Sequence, residues 1–330
     1  MLKILSPQNN QVFQRDDFDK GNVIFSGTVH SEMDTISIDI VTENNQEIIK
    51  SVAIKVDNKK HFYLQEKICA GGWYSLKIRD KENKVNIEND IRFGVGEVFV
   101  VAGQSNSTNY GEECSKQFSG MISSFAFNRW SIATDPLPGA HDTSSGGSPW
   151  LFFGDLLYQY LQVPIGIAIT GHGGTKIKEW LPNSDFYSQS DEKKGLFNWM
   201  MIRLQQLGIH GCRAIIWHQG ESDAGNNTKE EVYYYRLKKI IEKSREECGW
   251  HVPWFVGLVS YRTPDNPISE PIRNAQKKIC SDDIAFLGVD TDTLTGDNRD
   301  LQGLGIHFSL KGLEVHGKMW AEKIGKWFRN

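Results

Sequence analysis

At 330 residues the chain is about twice the usual domain length of roughly 150, which predicts two domains. Its 37 basic and 41 acidic residues leave a net charge of -4, and no basic cluster offsets it, which argues against a nucleic-acid binder working by bulk charge. Apolar residues at 39% and charged residues at 24% are ordinary for a folded soluble protein, and no run approaches the ~18 apolar residues of a membrane span.

The opening MLKILSPQNN lacks an apolar stretch long enough for a signal peptide. A chain whose leader had been removed would read the same, so the compartment stays open: extracytoplasmic in that case, cytoplasmic otherwise. The five cysteines (Cys69, Cys114, Cys212, Cys248, Cys280) are odd in number and show no CxxC spacing. That argues against a zinc site or a disulfide framework and predicts buried free thiols, with one bridge conceivable only in an exported chain.

Of the ten tryptophans, only Trp73 falls in the first 95 residues. That region reads as short alternating runs between polar turns: Val23-Ile24-Phe25, Ile36 to Val41, Ser51 to Val56, His61 to Leu64 and Trp73 to Ile78, with a turn at Asp80 to Asn83. Alternation of period two at this spacing predicts an antiparallel, immunoglobulin-like β-sandwich over residues 1–95.

From Val98 the pattern changes. Predicted strands at Val98–Ala102, Ile165–Ile169, Ala214–Trp217, Trp254–Val259 and Ile284–Val289 alternate with predicted helices at about 149–161, 197–207, 228–247 and 272–280, and a last helix begins near Ser309. Thr228 with Glu231 reads as a capping box. Strands alternating with helices predict an α/β domain over residues 96–330, a three-layer doubly wound parallel sheet. Ligands in such sheets bind beyond the carboxyl ends of the strands, so the chemistry is sought there.

Three strand ends carry reactive residues. The first strand ends in Gly103-Gln104-Ser105-Asn106; a serine at a strand-to-helix turn presents its hydroxyl where backbone N–H groups favour developing negative charge, although such a serine also serves as a turn former or cap. The strand at Ile215 runs into Trp217-His218-Gln219-Gly220-Glu221-Ser222-Asp223, an imidazole, an amide and two carboxylates in a few positions. Alternatively, this is a hydrogen-bonded loop with a satisfied histidine. After the strand at Phe286 a long polar stretch leads to Ile306-His307-Phe308-Ser309. Doubly wound topology gathers these loops in one crevice, in the chain order serine, acid, histidine that nucleophilic catalysis uses.

Gly103-Gln104-Ser105-Asn106, Gly173-Gly174-Thr175, His218 to Asp223 and His307-Phe308-Ser309 together resemble the SGNH-hydrolase superfamily, and more narrowly its carbohydrate O-acetylesterase branch, the sialate O-acetylesterases and acetylxylan esterases. The resemblance spans about residues 96–330 and implies a flavodoxin-like sheet, a serine esterase without metal or organic cofactor, and an acetylated carbohydrate as substrate. It implies Ser105 as nucleophile and His307 as base. It implies an oxyanion site made by the Ser105 N–H, a glycine N–H (Gly174 before Gly173) and the Gln219 amide. Many members carry an acid three residues before the histidine; here that position is Leu304, which cannot orient an imidazole. The resemblance gives that role to Glu221, with Asp300 as the fallback if the Gln302 to Gly305 segment is an inserted bend. A Ser–His dyad completed by a backbone carbonyl is the third arrangement.

Trp180, Arg262 and Arg299 are candidates for substrate contact, the tryptophan as a sugar platform and the arginines as partners for an acidic sugar's carboxylate, against plain roles in packing and surface ion pairs. Trp130 and Trp150 flank the expected mouth, and Asp223 is expected to shape its loop. Two other functions compete: a lipase or thioesterase on the same scaffold, which would need a long apolar channel, and a non-catalytic carbohydrate-binding protein acting through the sandwich. No nucleic-acid or membrane partner is expected, and the sequence leaves the oligomeric state open.

Overall fold

A computed structural model of the chain describes residues 2–29, 33–79, 91–182, 184 and 195–329. The turn expected at 80–83 lies outside the described residues. The N-terminal part folds as two facing sheets. Strands β1 (Leu2–Ser6), β3 (Lys20–Val29) and β6 (His61–Cys69) pair antiparallel in the order β1-β3-β6, with β2 (Gln11–Gln14) between β1 and β3 in the chain. In the second sheet β5 (Ile48–Lys55), β4 (Thr35–Thr42) and β7 (Trp73–Arg79) pair antiparallel, β7 joins β8 (Ile91–Gly103), and β2 lies parallel on the other side of β8. Period-two alternation buries Val23, Phe25, Ile36, Ile38, Ile40, Phe62, Leu76 and Phe93 between the sheets.

β8 does not stop at the expected boundary near residue 95. It continues into a further, larger sheet of order β10-β9-β11-β8-β12-β13-β14, built with β9 (Ile122–Ala126), β10 (Arg129–Ile132), β11 (Ile165–Ile169), β12 (Ala214–His218), β13 (Trp254–Leu258) and β14 (Phe286–Asp290). All pairings in this sheet are parallel except β10 on β9. The β9–β10 hairpin was not expected from the sequence. Its two-residue loop, Phe127 and Asn128, takes positive φ (51° and 57°), a turn normally announced by Asn-Gly or Asp-Gly.

Helices cover both faces. α1 (Trp150–Leu161) packs with α7 (Leu310–Trp327) on one side, and α2 (Leu196–Leu207), α4 (Glu230–Cys248) and α5 (Glu270–Ser281) lie on the other. Between them fall the short α3 (Glu221–Gly225) and the kinked α6 (Asp300–Gly303). Thr228 does not cap α4, which begins at Glu230; its hydroxyl donates to Asp223 instead (2.8 Å). All five cysteines are free; the expectation of burial holds for Cys212, while Cys69 and Cys114 are exposed because they stand on an edge and a loop.

The two parts are joined by more than a chain crossing. Glu97, fully buried on β8, accepts from Arg15 Nε (2.5 Å), Arg213 Nε (2.7 Å) and Gln14 Nε2 (2.8 Å), which gives the buried charge the partners that burial demands. The order of β11 and β12 on either side of β8 puts the topological switch point at the carboxyl end of β8. Among the described residues no helix is long and apolar enough to cross a membrane.

Candidate active site

The switch point is where β8 hands the chain to a 3-10 turn, Ser105–Ser107. Gly103 makes the handover possible. Its φ is +138°, and a Cβ there would stand 2.0 Å from the His218 carbonyl oxygen, so β8 and β12 approach closely only because the residue is glycine. The turn is held from below by Trp150, whose Nε1 donates to the Ser107 carbonyl (2.9 Å), and from within by Thr108, whose N–H donates to the Ser105 carbonyl (2.9 Å) with its hydroxyl 3.0 Å from the same oxygen. Ser105 is buried apart from a small exposed fraction (4%).

The Gln104 carboxamide locks this turn to the β12 loop: its Oε1 accepts from Gln219 Nε2 (3.2 Å), Gly220 N (3.4 Å) and Ser222 N (3.1 Å). Asn106 makes the third tie. Its Nδ2 donates to Glu221 Oε1 (2.9 Å) and to the carbonyl of Ile306 (3.2 Å), so the serine turn, the β12 loop and the residue before His307 meet at one side chain.

His307 stands before α7, whose first turn is capped by the Ser309 hydroxyl accepting from Gly312 N. The expectation that Glu221 orients His307 is corrected here. Glu221 is fully buried and pairs with His218 (Nε2 to Oε1, 3.3 Å) and Asn106. Burial alone would raise its carboxyl, but those two neighbours carry it below the ordinary carboxylate value. The carboxylate beside His307 is Asp300: Oδ2 lies 3.6 Å from Nδ1, and Oδ1 accepts the His307 backbone N–H (3.1 Å). The chain reaches this arrangement through a bend in which Leu301 and Gln302 adopt left-handed conformations (φ 51° and 60°), bringing a residue seven positions upstream against the ring. Gly305 leaves room for it, since a Cβ at that position would lie 1.7 Å from Asp300 Oδ1. Tyr110 covers the other side of the imidazole, stacked at 4.9 Å and 28°, and its ring meets the backbone at Gly173.

Across from the histidine, the loop after β11 carries Gly173 and Gly174. The Gly173 N–H donates to Asp142 Oδ2 (2.7 Å), whereas the exposed Gly174 N–H and the Ser105 N–H have no acceptor among the described residues. The expected contribution of Gln219 is not met. Its carboxamide is fully buried, and its Nε2 faces Gln104 Oε1, the Thr175 carbonyl (3.1 Å) and Asp223 Oδ2 (2.7 Å), so no N–H is left to point at a ligand. Asp223 shapes the loop, accepting from Ile177 N (2.7 Å), Gln219 and Thr228.

Two of the three substrate candidates are corrected as well. Trp180 is fully buried, edge-on to Trp217 with its Nε1 on Thr175 Oγ1. Arg299 is 2% exposed and sandwiched by Tyr261 (3.8 Å) and Phe308 (4.3 Å), and it donates to the carbonyls of Leu294, Thr291 and Ile306; it braces the His307 loop from inside. Arg262 is exposed, with Nη1 3.5 Å from the Glu221 carbonyl. Trp130 is half-buried against Phe125. Sequence reading missed Asn106 as the tie, Tyr110 and Asp142. The run Asp142-Thr143-Ser144 does carry the signature of an Asx turn, and the Ser144 N–H donates to Asp142 Oδ1 (3.0 Å).

A serine hydroxyl at a sheet switch point, an imidazole beside a carboxylate, and two unclaimed N–H groups are the kinds of group that acyl transfer through a serine uses. The mostly parallel, helix-flanked sheet with these loops at its carboxyl edge is a doubly wound α/β architecture. The family model for carbohydrate esterases, sialic acid-specific acetylesterases, matches residues 95–326, and the chain belongs to that family of carboxylic ester hydrolases. It is 26% identical over 193 residues to a probable carbohydrate esterase of Arabidopsis thaliana, covering 51% of this chain and 69% of that one. It is 31% identical over 112 residues to human sialate O-acetylesterase, a match that covers 29% of this chain and only 20% of that protein. Among solved structures, a carbohydrate acetylesterase from Xanthomonas citri superposes with a TM-score of 0.60 at 19% identity, covering 97% of this chain and 74% of that one. A protein of Arabidopsis thaliana superposes with a TM-score of 0.52 at 19% identity, over 71% of this chain and 97% of that one. At those identities the superpositions speak for the fold.

Proposed function

We propose that the chain removes O-acetyl groups from a carbohydrate through an acetyl-enzyme on Ser105. The observation that carries this reading is the pair of unclaimed N–H groups, one at Ser105 in the serine turn and one at Gly174 in the loop after β11, together with the tie that Asn106 makes from that turn to the histidine loop. Ser105 Oγ attacks the acetyl carbonyl while His307 takes its proton, and the carbonyl oxygen gathers negative charge toward the two N–H groups. His307 returns the proton to the departing sugar oxygen, then takes one from water, which attacks the acetyl-enzyme and releases acetate. Asp300 holds the Nδ1–H of His307 and stabilises the imidazolium. Contacts of 3.6 Å tighten in the substrate complex. The sandwich, residues 1–95, supports the strand that carries the nucleophile.

For the sugar, acetylated sialic acid and acetylated xylan-type glycans are the candidates. Arg262 is an exposed cation beside the β12 loop, with Nη1 3.5 Å from the Glu221 carbonyl, and suits an acidic sugar's carboxylate. The test begins with acetate release from p-nitrophenyl acetate. Ser105→Ala should abolish it, and equal activity in both proteins would sink the proposal. Arg262→Ala should then slow acetylated sialic acid selectively and leave acetylated xylan unchanged. A preference for long acyl esters over acetate would turn the reading toward a lipase.

A further inference from the structure

The geometry points to Asp142 as the positioning residue that sets the spacing of the two oxyanion donors, an inference that rests on the proposed acyl-transfer mechanism. Asp142 lies in the loop between β10 and α1, far in sequence from both donors, yet its carboxylate touches both turns. Oδ2 accepts the Gly173 N–H (2.7 Å) and faces the Thr108 hydroxyl (3.2 Å). Thr108 in turn holds the Ser105 carbonyl through its N–H (2.9 Å). One carboxylate therefore links the glycine turn to the serine turn in two steps.

The rest of the loop makes Asp142 a fixed post. The His141 N–H donates to the Gly171 carbonyl (3.0 Å), and Ser144 returns to Asn109 (Asn109 N to Ser144 Oγ, 3.3 Å). Gly146 N donates to the Asn109 carbonyl (2.8 Å), and Gly111 and Gly147 exchange both backbone bonds. The His141 ring is stacked on Trp199 at 3.9 Å. Asp142 Oδ1 is held by the Ser144 N–H and hydroxyl.

The consequence concerns which amide is free. By engaging the Gly173 N–H, Asp142 removes it as a donor and fixes the His172–Gly173 peptide, the neighbour of the one that carries the Gly174 N–H, which is then the one left open. Without the carboxylate, the Gly173 N–H would be free to turn toward the ligand and the Gly174 N–H would lose its fixed direction. Donors act in catalysis to the extent that they are already aimed where charge develops, and errors of about 1 Å cost about 100-fold. Asp142 touches no reacting atom; it works through the glycine turn.

The test compares the wild type with Asp142→Ala, Asp142→Asn and Ser105→Ala, using p-nitrophenyl acetate for kcat and KM and a small alkyl boronic acid as a tetrahedral, anionic adduct of the serine. In Asp142→Ala, kcat should fall about 10- to 100-fold with KM within about twofold, and boronic-acid affinity should fall by the same factor as kcat/KM. Asp142→Asn retains one acceptor oxygen and should fall between the two; it also serves if the alanine variant does not fold. Wild-type kcat in a folded Asp142→Asn or Asp142→Ala protein would overturn the inference. So would a loss of kcat with boronic-acid affinity unchanged. Failure of the underlying mechanism is seen separately, as persistence of activity in Ser105→Ala.

Discussion

Replacing Asp300 by Asn is the sharpest probe of which acid serves His307. The Oδ2–Nδ1 separation of 3.6 Å gives a gross charge–charge attraction on the order of 4–5 kcal/mol at an effective dielectric near 20. Solvent reaches both side chains (23% and 14% exposed), which reduces the part lost to about 2–3 kcal/mol, or on the order of 100-fold in kcat. The asparagine keeps the volume and the oxygen that accepts the His307 N–H, so the fold should survive and KM should change little. Glu221→Gln is the matched control. Its remaining oxygen can still accept from Asn106, so kcat should fall less than about tenfold, while loss of the buried His218 partner lowers the melting temperature. Initial rates on p-nitrophenyl acetate with thermal unfolding of each variant decide the matter. A folded Asp300→Asn protein with wild-type kcat, beside an inactive but stable Glu221→Gln protein, would refute the assignment and restore Glu221.

Gly305→Ala should reproduce the Asp300→Asn defect without touching the carboxylate, because its Cβ would lie 1.7 Å from Asp300 Oδ1 and push the bend outward; kcat falls, and the far-ultraviolet spectrum stays as it was. Gln219→Leu should behave as a stability mutant, leaving the buried Thr175 carbonyl unpaired at about 1–3 kcal/mol and taking one of several donors from Gln104 and Asp223, with kcat of the folded fraction reduced far less than the 100-fold or more expected on losing an oxyanion donor. His141 should give the protein a pH-dependent stability. Burial, assisted by the Arg203 charge, lowers its pKa to about 4 from 6.5, so between those values the unfolded chain binds a proton that the folded one refuses. Stability should therefore fall as pH drops from 6.5 toward 4 and be complete above 6.5. His141→Gln should show a flatter melting-temperature profile in that window, and an unchanged slope would exclude the residue as its source.

The sequence was readable where local chemistry and periodicity agreed. The shift from alternating to strand–helix spacing after Val98 marks the α/β part; Ser105 follows a strand that its apolar run announces, and His307 stands just before the last helix. The carboxylate beside His307, Asp300, was legible only as the fallback to Glu221, tied to a bend over Gln302 to Gly305. Its position depends on Leu301 and Gln302 both turning left-handed, a conformation that their side chains disfavour and no propensity foretells. Gln219 and Arg299 carry suitable chemistry but are turned inward, the first by Asp223 within its own motif and the second by carbonyls of its own loop and the rings of Tyr261 and Phe308. Trp180 likewise packs on Trp217 in the core. Composition near a strand end names the candidates; which way each side chain faces is decided by tertiary hydrogen bonds.

Strand β8 has a mechanical consequence. Phe93 and Val95 belong to the sandwich core and Val98 to Ala102 to the cores of the large sheet, and Trp73 of the sandwich reaches over to the Gly120 carbonyl (3.0 Å). One covalent rod thus runs from the interior of the accessory part to the residue next to the nucleophile turn. Loosening the sandwich strips partners from the first half of that rod, and the slack arrives at Ser105 through hydrogen-bonded backbone rather than through a linker. Intrinsic tryptophan fluorescence and loss of esterase activity should then follow a single melting curve, and two separate transitions would show that the sandwich does not splint the strand leading to Ser105.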